Sequence, residues 1–214
     1  MGSGGVSGQA SEVSVRLYRP GELDDLYRIC RLTADNGQDA TPLYRDPVLV
    51  GQVFAAPYAL FEPSLAFVAH DEAGVGGYVL GARDSQAFEQ RLERGWWPLL
   101  RSRYPDPPAS LDPARWTADQ QMAHLIHHRY AVSDELARNY PSHLHIDLLP
   151  RLQGRGQGRK LIDTLADALR RQGSPGVHLN VSPRNHRARA FYQHLGFTAL
   201  PASSASLFVM DLTR

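Results

Sequence analysis

Glycine stands at every second position in Gln153-Gly154-Arg155-Gly156-Gln157-Gly158, and cations surround the run at Arg151, Arg155, Arg159 and Lys160. It falls between two stretches of different period. Before it, from Leu144, apolar Ile146, Leu148 and Leu149 alternate with His145 and Asp147 as in a strand, and Pro150 stops the ladder because it has no N–H to give. After it, Leu161, Leu165 and Leu169 recur four apart with Ile162 beside them, the spacing of a helix. The start of a helix leaves its first N–H groups without intrahelical partners, and its dipole favours an anion. These residue types therefore suit a phosphorylated ligand, held by backbone N–H groups and cationic side chains. On the preceding strand, His143, His145 and Asp147 share one face by period two. An imidazole titrates near neutrality, and the carboxylate can orient it or hold an ammonium group; a purely structural role for each stays open.

Two familiar phosphate loops fail. A Walker loop needs Gly, four residues, then Gly-Lys-Ser/Thr, and counting from Gly154 lands on Arg159. A dinucleotide fingerprint needs a third glycine at residue 159, where the chain again has Arg. A glycine-rich turn with no ligand remains one reading. The other is the pattern Gln/Arg-x-x-Gly-x-Gly/Ala, met by Gln153, Gly156 and Gly158, which resembles the pyrophosphate loop of the GCN5-related N-acetyltransferases (the GNAT superfamily). A second stretch, Asn185 to Phe197, resembles that family's Asn-x-x-Ala-x-x-Phe-Tyr-x-x-x-Gly-Phe at Asn185, Ala188, Phe191, Tyr192, Gly196 and Phe197. It follows the loop at a distance that holds one helix, one turn and one strand. The resemblance covers roughly residues 13–213, with specific motifs only in the last third. Within the superfamily, PSHLHIDLLP at 141–150 is similar to a branch related to the acetyltransferase-like domain attached to protein O-GlcNAcases.

The resemblance implies an α/β fold with a mixed sheet of six to seven strands, splayed between strands 4 and 5, and helices on both faces. It implies acetyl-CoA as cosubstrate and direct transfer of its acetyl group to a primary amine of a small molecule or a lysine side chain. The pyrophosphate would lie on the N–H groups of residues 154–159, with Gln153, Arg155, Gln157, Arg159 and Lys160 around it. The pantetheine would run beside Asp147 to Leu149, and a backbone N–H near Leu148 would face the thioester oxygen. Leu148, Leu149, Asn185 and Arg189 join the implied cofactor site. Tyr192 takes the position of the family's general acid, and a phenol is matched in basicity to a coenzyme thiolate; its other reading is a core aromatic. Asn185 can also simply cap the next helix. His145 and Asp147 are the candidates for handling the amine proton. The alternative to an enzyme is a pseudo-acetyltransferase that keeps the fold as a binding module without transfer.

The elements that would position these residues read in order along the chain. Residues 1–11 are Gly/Ser-rich and predict a flexible tail, and 12–214 read as one acetyltransferase domain. Val13 to Leu17 predicts a strand, and Pro20 opens a helix with Leu23, Leu26, Cys30 and Thr33 on one face. Val48 to Leu60 has helical spacing, with Pro57 near its end. Leu65 to His70 and Gly77 to Ala82 predict a hairpin. Residues 84–140 exceed what the fold needs and predict a helical insertion between strands 3 and 4. Asp112-Pro113 resembles a cap and first turn there, and Trp96, Trp97 and Trp116 either line an acceptor pocket or cement the insertion. Gln172-Gly173-Ser174-Pro175 ends the helix after the loop. Val177 to Val181, Phe197 to Leu200 and Ser206 to Leu212 predict the closing strands.

Composition narrows the classes. With 214 residues, 43% hydrophobic and 21% charged, the chain suits a globular domain. Residues 151–160 and 184–189 carry +7 while the whole chain carries +1, so positive charge gathers at the two motifs. No nucleic-acid motif appears, which argues against a nucleic-acid partner. One cysteine, Cys30, excludes an internal disulfide framework. No apolar run approaches the roughly 18 residues of a spanning helix, and the start does not resemble a secretory signal. A cytoplasmic location is the expectation, with no membrane partner. His127 and His128 are adjacent and point to different helix faces, and no zinc spacing is seen, so no metal is expected. The resemblance implies that Asp35, Asp39 and Asp46 fall in a loop region that often borders the acceptor site, consistent with a cationic amine or a lysine side chain.

Overall fold

The computed structural model describes residues 12–129, 131–200 and 206–213, with Ser206 by its backbone alone. The predicted tail, residues 1–11, lies outside them. Among the described residues, seven strands form one sheet: β1 (Ser14–Leu17), β2 (Ala66–Asp71), β3 (Gly74–Ala82), β4 (Ser142–Leu148), β5 (Gly176–Val181), β6 (Thr198–Leu200) and β7 (Ser206–Asp211), in the order β1-β2-β3-β4-β5-β7-β6. Neighbours are antiparallel except β4 and β5, which run parallel and pair only at Ser142↔Val177 and His143↔His178. Beyond those two pairs the strands diverge, so β4 has a free edge from Leu144 onward. This is the splay expected between strands 4 and 5.

Period-two alternation feeds two cores. From β2, Ala66 and Val68 enter one cluster while Phe67 and Ala69 enter the other. From β3, Tyr78, Leu80 and Ala82 join the first and Val79 the second. The first cluster is capped by α1 (Leu23–Arg31), α2 (Leu49–Phe54), α3 (Ala56–Phe61) and the insertion; the second by α8 (Gln157–Arg171) and α9 (His186–His194). Helices thus cover both faces of a mixed sheet.

The insertion between β3 and β4 comprises α4 (Ser85–Gly95), α5 (Trp97–Arg103), α6 (Ala118–His127) and α7 (Asp134–Asn139). Its starts follow capping chemistry: Asp84 accepts from the Ala87 N–H, Thr117 and Gln120 form a reciprocal capping box, and Ser133 accepts from the Leu136 N–H. Asp112-Pro113 opens only a 3-10 turn, Pro113–Arg115, and the full helix waits for Thr117. The predicted helix at 48–60 is two helices. The break is at Ala55 (φ −125°, ψ −56°), which is fully buried, and Pro57 sits in the first turn of the second helix, where its missing N–H costs nothing.

Two of the three tryptophans cement the insertion. Trp97 is fully buried, with Arg129 4.4 Å above its ring and its N–H donated to Glu89. Trp96 donates its N–H to the Gln52 carbonyl and packs edge-on against Phe61. Trp116 instead lines a cavity. The join between insertion and sheet is tight at Gly176, where an added Cβ would lie 2.5 Å from Tyr140 Cδ1 and 2.6 Å from the Asn139 carbonyl. Backbone cannot retreat like a side-chain end, so Gly176→Ala is expected to cost about 1–3 kcal/mol of stability, read as a lowered urea midpoint with unchanged slope.

Candidate active site

The glycine loop has the conformation its composition demands. Gly154 and Gly156 are both left-handed, with φ of +71° and +76°, and Gly156 is the N-cap of α8. Among the described residues, no N–H of residues 154–159 finds a hydrogen-bond partner; the first to do so, Lys160, reaches back to the Gly156 carbonyl. Six consecutive donors at a helix start make an anion cradle. Gly158 allows α9 to approach: a Cβ there would lie 2.8 Å from Phe191 Cζ. Arg155 is exposed, Arg159 only touches the His194 carbonyl at 3.5 Å, and Lys160 only the Val13 carbonyl at 3.5 Å. All three cations remain available to an anion. Arg151 is not, because it pairs with Asp71 at 3.1 Å on the β2–β3 hairpin.

The end of β4 lies next to this loop. The Leu149 N–H bonds the Gly76 carbonyl, which makes Gly77↔Leu148 a non-hydrogen-bonded pair and turns the Leu148 backbone groups away from β3. On that side β5 has diverged. The Gln153 side chain takes the Leu148 carbonyl at 2.6 Å, leaving the Leu148 N–H to face the gap. Leu149 differs: its N–H goes to Gly76 and its carbonyl accepts from Leu152, so no backbone group of Leu149 is free for a ligand. Gln157 donates to the Arg155 carbonyl, which stiffens the loop.

His143, His145 and Asp147 do share one face, toward α1–α3 and the insertion. His143 is enclosed, bonded to Ser85 Oγ at 2.7 Å and to the Tyr58 hydroxyl at 2.9 Å. Burial, then the neighbouring His178, pushes its pKa down to about 3, so it stays neutral and serves as structure. An unfolded histidine titrates near the usual 6.5. Between these values the unfolded chain binds the extra proton, so stability is full above the unfolded value and falls as pH drops toward the folded one. His143→Gln is expected to remove a slope of about 1.4 kcal/mol per pH unit from that window, checked by urea titrations at stepped pH.

His145 and Asp147 are partly open, at 30% and 17% side-chain exposure. His145 Nε2 lies 3.0 Å from Asp147 Oδ2, close enough for an ion pair though not aligned as a hydrogen bond. The buried Tyr78 hydroxyl donates to the same Oδ2 at 2.6 Å, and Phe54 stacks on the His145 ring at 5.5 Å. Burial and the facing Asp147 charge raise the Tyr78 pKa well above its usual value, so it is a permanent donor. Tyr78 is invisible to motif reasoning: it stands directly opposite Asp147 in the β3–β4 register, 69 residues away. Cys30 Sγ also lies within 4.8 Å of both His145 and Asp147. Burial raises its pKa, keeping it a neutral thiol in the metal-free protein.

Tyr192, on α9, is buried among Phe191, Phe197 and Phe208. Burial, then the Asp147 charge, raises its pKa, and its hydroxyl has no hydrogen-bond partner among the described residues. Asn185 caps α9 through the Ala188 N–H at 3.0 Å, and Arg189 lies over the Phe208 ring at 5.6 Å. The acidic loop residues are largely committed: Asp46 holds Arg103 and Tyr104, and Asp39 accepts from the Thr41 N–H.

A splayed sheet with an anion cradle at the foot of the splay defines the class of protein. The profile of the Acetyltransferase (GNAT) family matches residues 91–197. The chain is 40% identical to the crystal structure of SsHAT, with a TM-score of 0.86 over 95% of this chain and 100% of that one. It is 25% identical over 183 residues to protein O-GlcNAcase of Rattus norvegicus, which covers 86% of this chain but only 20% of that protein's length. The structure of yncA from Salmonella typhimurium with its cofactor acetyl-CoA shares the fold, at 14% identity and a TM-score of 0.55 over 94% of each chain. The chain belongs to the GNAT acetyltransferase family, whose cosubstrate is acetyl-CoA. Among the described residues no helix is long and apolar enough to cross a membrane.

Proposed function

We propose that the protein transfers an acetyl group from acetyl-CoA directly to a primary amine, on a small molecule or a lysine side chain. What carries the reading is the row of six unpaired N–H groups at residues 154–159, opening α8 beside the free edge of β4. Acetyl-CoA, when bound, supplies a thioester carbonyl activated toward amines. The N–H groups of 154–159, with Arg155, Arg159 and Lys160, neutralise the pyrophosphate. The unpaired edge of β4 pairs with the pantetheine amides, and the Leu148 N–H donates to the carbonyl oxygen as it gains charge. Asp147, fixed by Tyr78, holds the incoming ammonium, and His145 takes its proton. Tyr192 gives a proton to the departing thiolate. A cytoplasmic setting accompanies this reading, supported by a single, buried cysteine.

The test is coenzyme A release, followed with a thiol-reactive chromophore, in the presence of a polyamine, an aminoglycoside or a lysine peptide. The buried Cys30 thiol contributes little background. Amine-dependent release, lost in Asp147→Asn, is expected. Bound acetyl-CoA with no release to any amine would replace the reading with that of a binding module without transfer.

A further inference from the structure

The insertion carries a second cluster of chemistry-bearing side chains, outside the site described above. His124 and His128 stand four apart at the end of α6, and Asp106 comes from the segment that links α5 to the turn at Pro113–Arg115. Asp106 Oδ1 lies 3.1 Å from His124 Nδ1, and Oδ2 lies 2.6 Å from His128 Nε2. The two imidazoles stack, centroids 4.0 Å apart. We propose that Asp106, His124 and His128 form a site for a divalent transition-metal ion of the zinc type.

The geometry and the chemistry agree. One ligand atom from each residue lies within 4.8 Å of the other two. A tetrahedral Zn²⁺ with N and O ligands at about 2.0–2.1 Å keeps them about 3.3 Å apart, so small side-chain rotations complete the set. Two imidazoles and one carboxylate suit zinc, copper or nickel, whereas magnesium and calcium prefer all-oxygen shells. The three side chains are 35–55% exposed, which gives an ion a path from solvent. Three protein ligands leave a fourth position for water or another ligand. Beside the cluster lies a cavity of about 330 Å³ lined by both histidines with Tyr44, Trp116, Met122 and Leu125. Trp116 Nε1 is buried and has no partner among the described residues, and its ring packs 4.7 Å from that of His124, so the cluster adjoins a polar group that is not satisfied within the protein. His127 is excluded from the set because its Nε2 turns to the Tyr104 carbonyl at 2.8 Å. A bound ion would pin the α5–α6 link to α6 and fix this wall of the cavity. The competing arrangement is a carboxylate that merely accepts hydrogen bonds from two imidazoles.

The experiment uses the whole chain, dialysed against a chelator and titrated with ZnCl₂ in competition with a chromogenic chelator. CoCl₂ provides a parallel visible-absorption readout. One Zn²⁺ per chain is expected at micromolar affinity or tighter, with tetrahedral Co²⁺ bands. Binding should weaken at least tenfold in Asp106→Asn and disappear in the His124→Gln/His128→Gln double variant, while His127→Gln and Cys30→Ser retain it. If the double variant does not fold, Asp106→Asn and His128→Gln singly carry the comparison. Substoichiometric binding would overturn the proposal. So would binding that survives loss of the histidines, or that depends on Cys30.

Discussion

Tyr192→Phe is expected to lower kcat for acetyl transfer by about 10²-fold or more, with the affinity for acetyl-CoA nearly unchanged. The substitution removes one oxygen and keeps the ring that packs at 5.4–6.0 Å from Phe191, Phe197 and Phe208. Because the hydroxyl has no hydrogen-bond partner among the described residues, its loss leaves no polar group stranded and little stability is at stake. Burial keeps the phenol protonated through the neutral range; it also makes Tyr192 a weaker acid than a free phenol, so the match in basicity to the thiolate expected from the sequence does not hold in the apo protein. A kcat equal to that of the unsubstituted protein would return Tyr192 to the role of a core aromatic. Measuring kcat and the dissociation constant separately distinguishes lost chemistry from lost binding.

Gly156→Val is expected to weaken acetyl-CoA binding about 100-fold, equivalent to about 2.8 kcal/mol. Gly156 is the left-handed N-cap of α8, a conformation that a β-branched residue adopts only at a cost of about 1–3 kcal/mol. No neighbour lies within 4 Å of the added Cβ, so the fold has room for it. What changes is the turn, and with it the common aim of the N–H groups of residues 154–159. Calorimetric titration reads the affinity, and a thermal melt shows that the fold persists.

The parts of this molecule that could be read from sequence are those where local chemistry decides. The glycine loop is one: alternate glycines between a strand period and a helix period mark a helix start with free N–H groups, and α8 opens there, with Gly154 and Gly156 using the left-handed backbone that glycine permits. Asn185 capping α9 and Gly196 ending it, at φ +93°, are of the same kind. Residues whose fate depends on distant partners were not legible. Asp46 looked free for a cationic ligand until Tyr104, 58 residues on, supplied its hydrogen bond. The helix at 48–60 splits at Ala55, two residues before Pro57, which cannot donate the N–H that would continue the first helix and instead takes a first-turn position of the second. Tyr78 acquires a role only through strand register with Asp147. His124 and His128 are spaced four apart in the sequence, but Asp106 joins them only when the α5–α6 link folds back.

The central claim, that the loop at 153–160 opening α8 binds acetyl-CoA, is tested most directly by calorimetric titration of the purified chain with acetyl-CoA, alongside ATP and NAD. The account predicts one site per chain, selective for acetyl-CoA, with a dissociation constant in the micromolar range or tighter, about −8 kcal/mol. No heat of binding from a protein shown by circular dichroism to be folded would contradict it, and would leave the glycine loop as architecture alone.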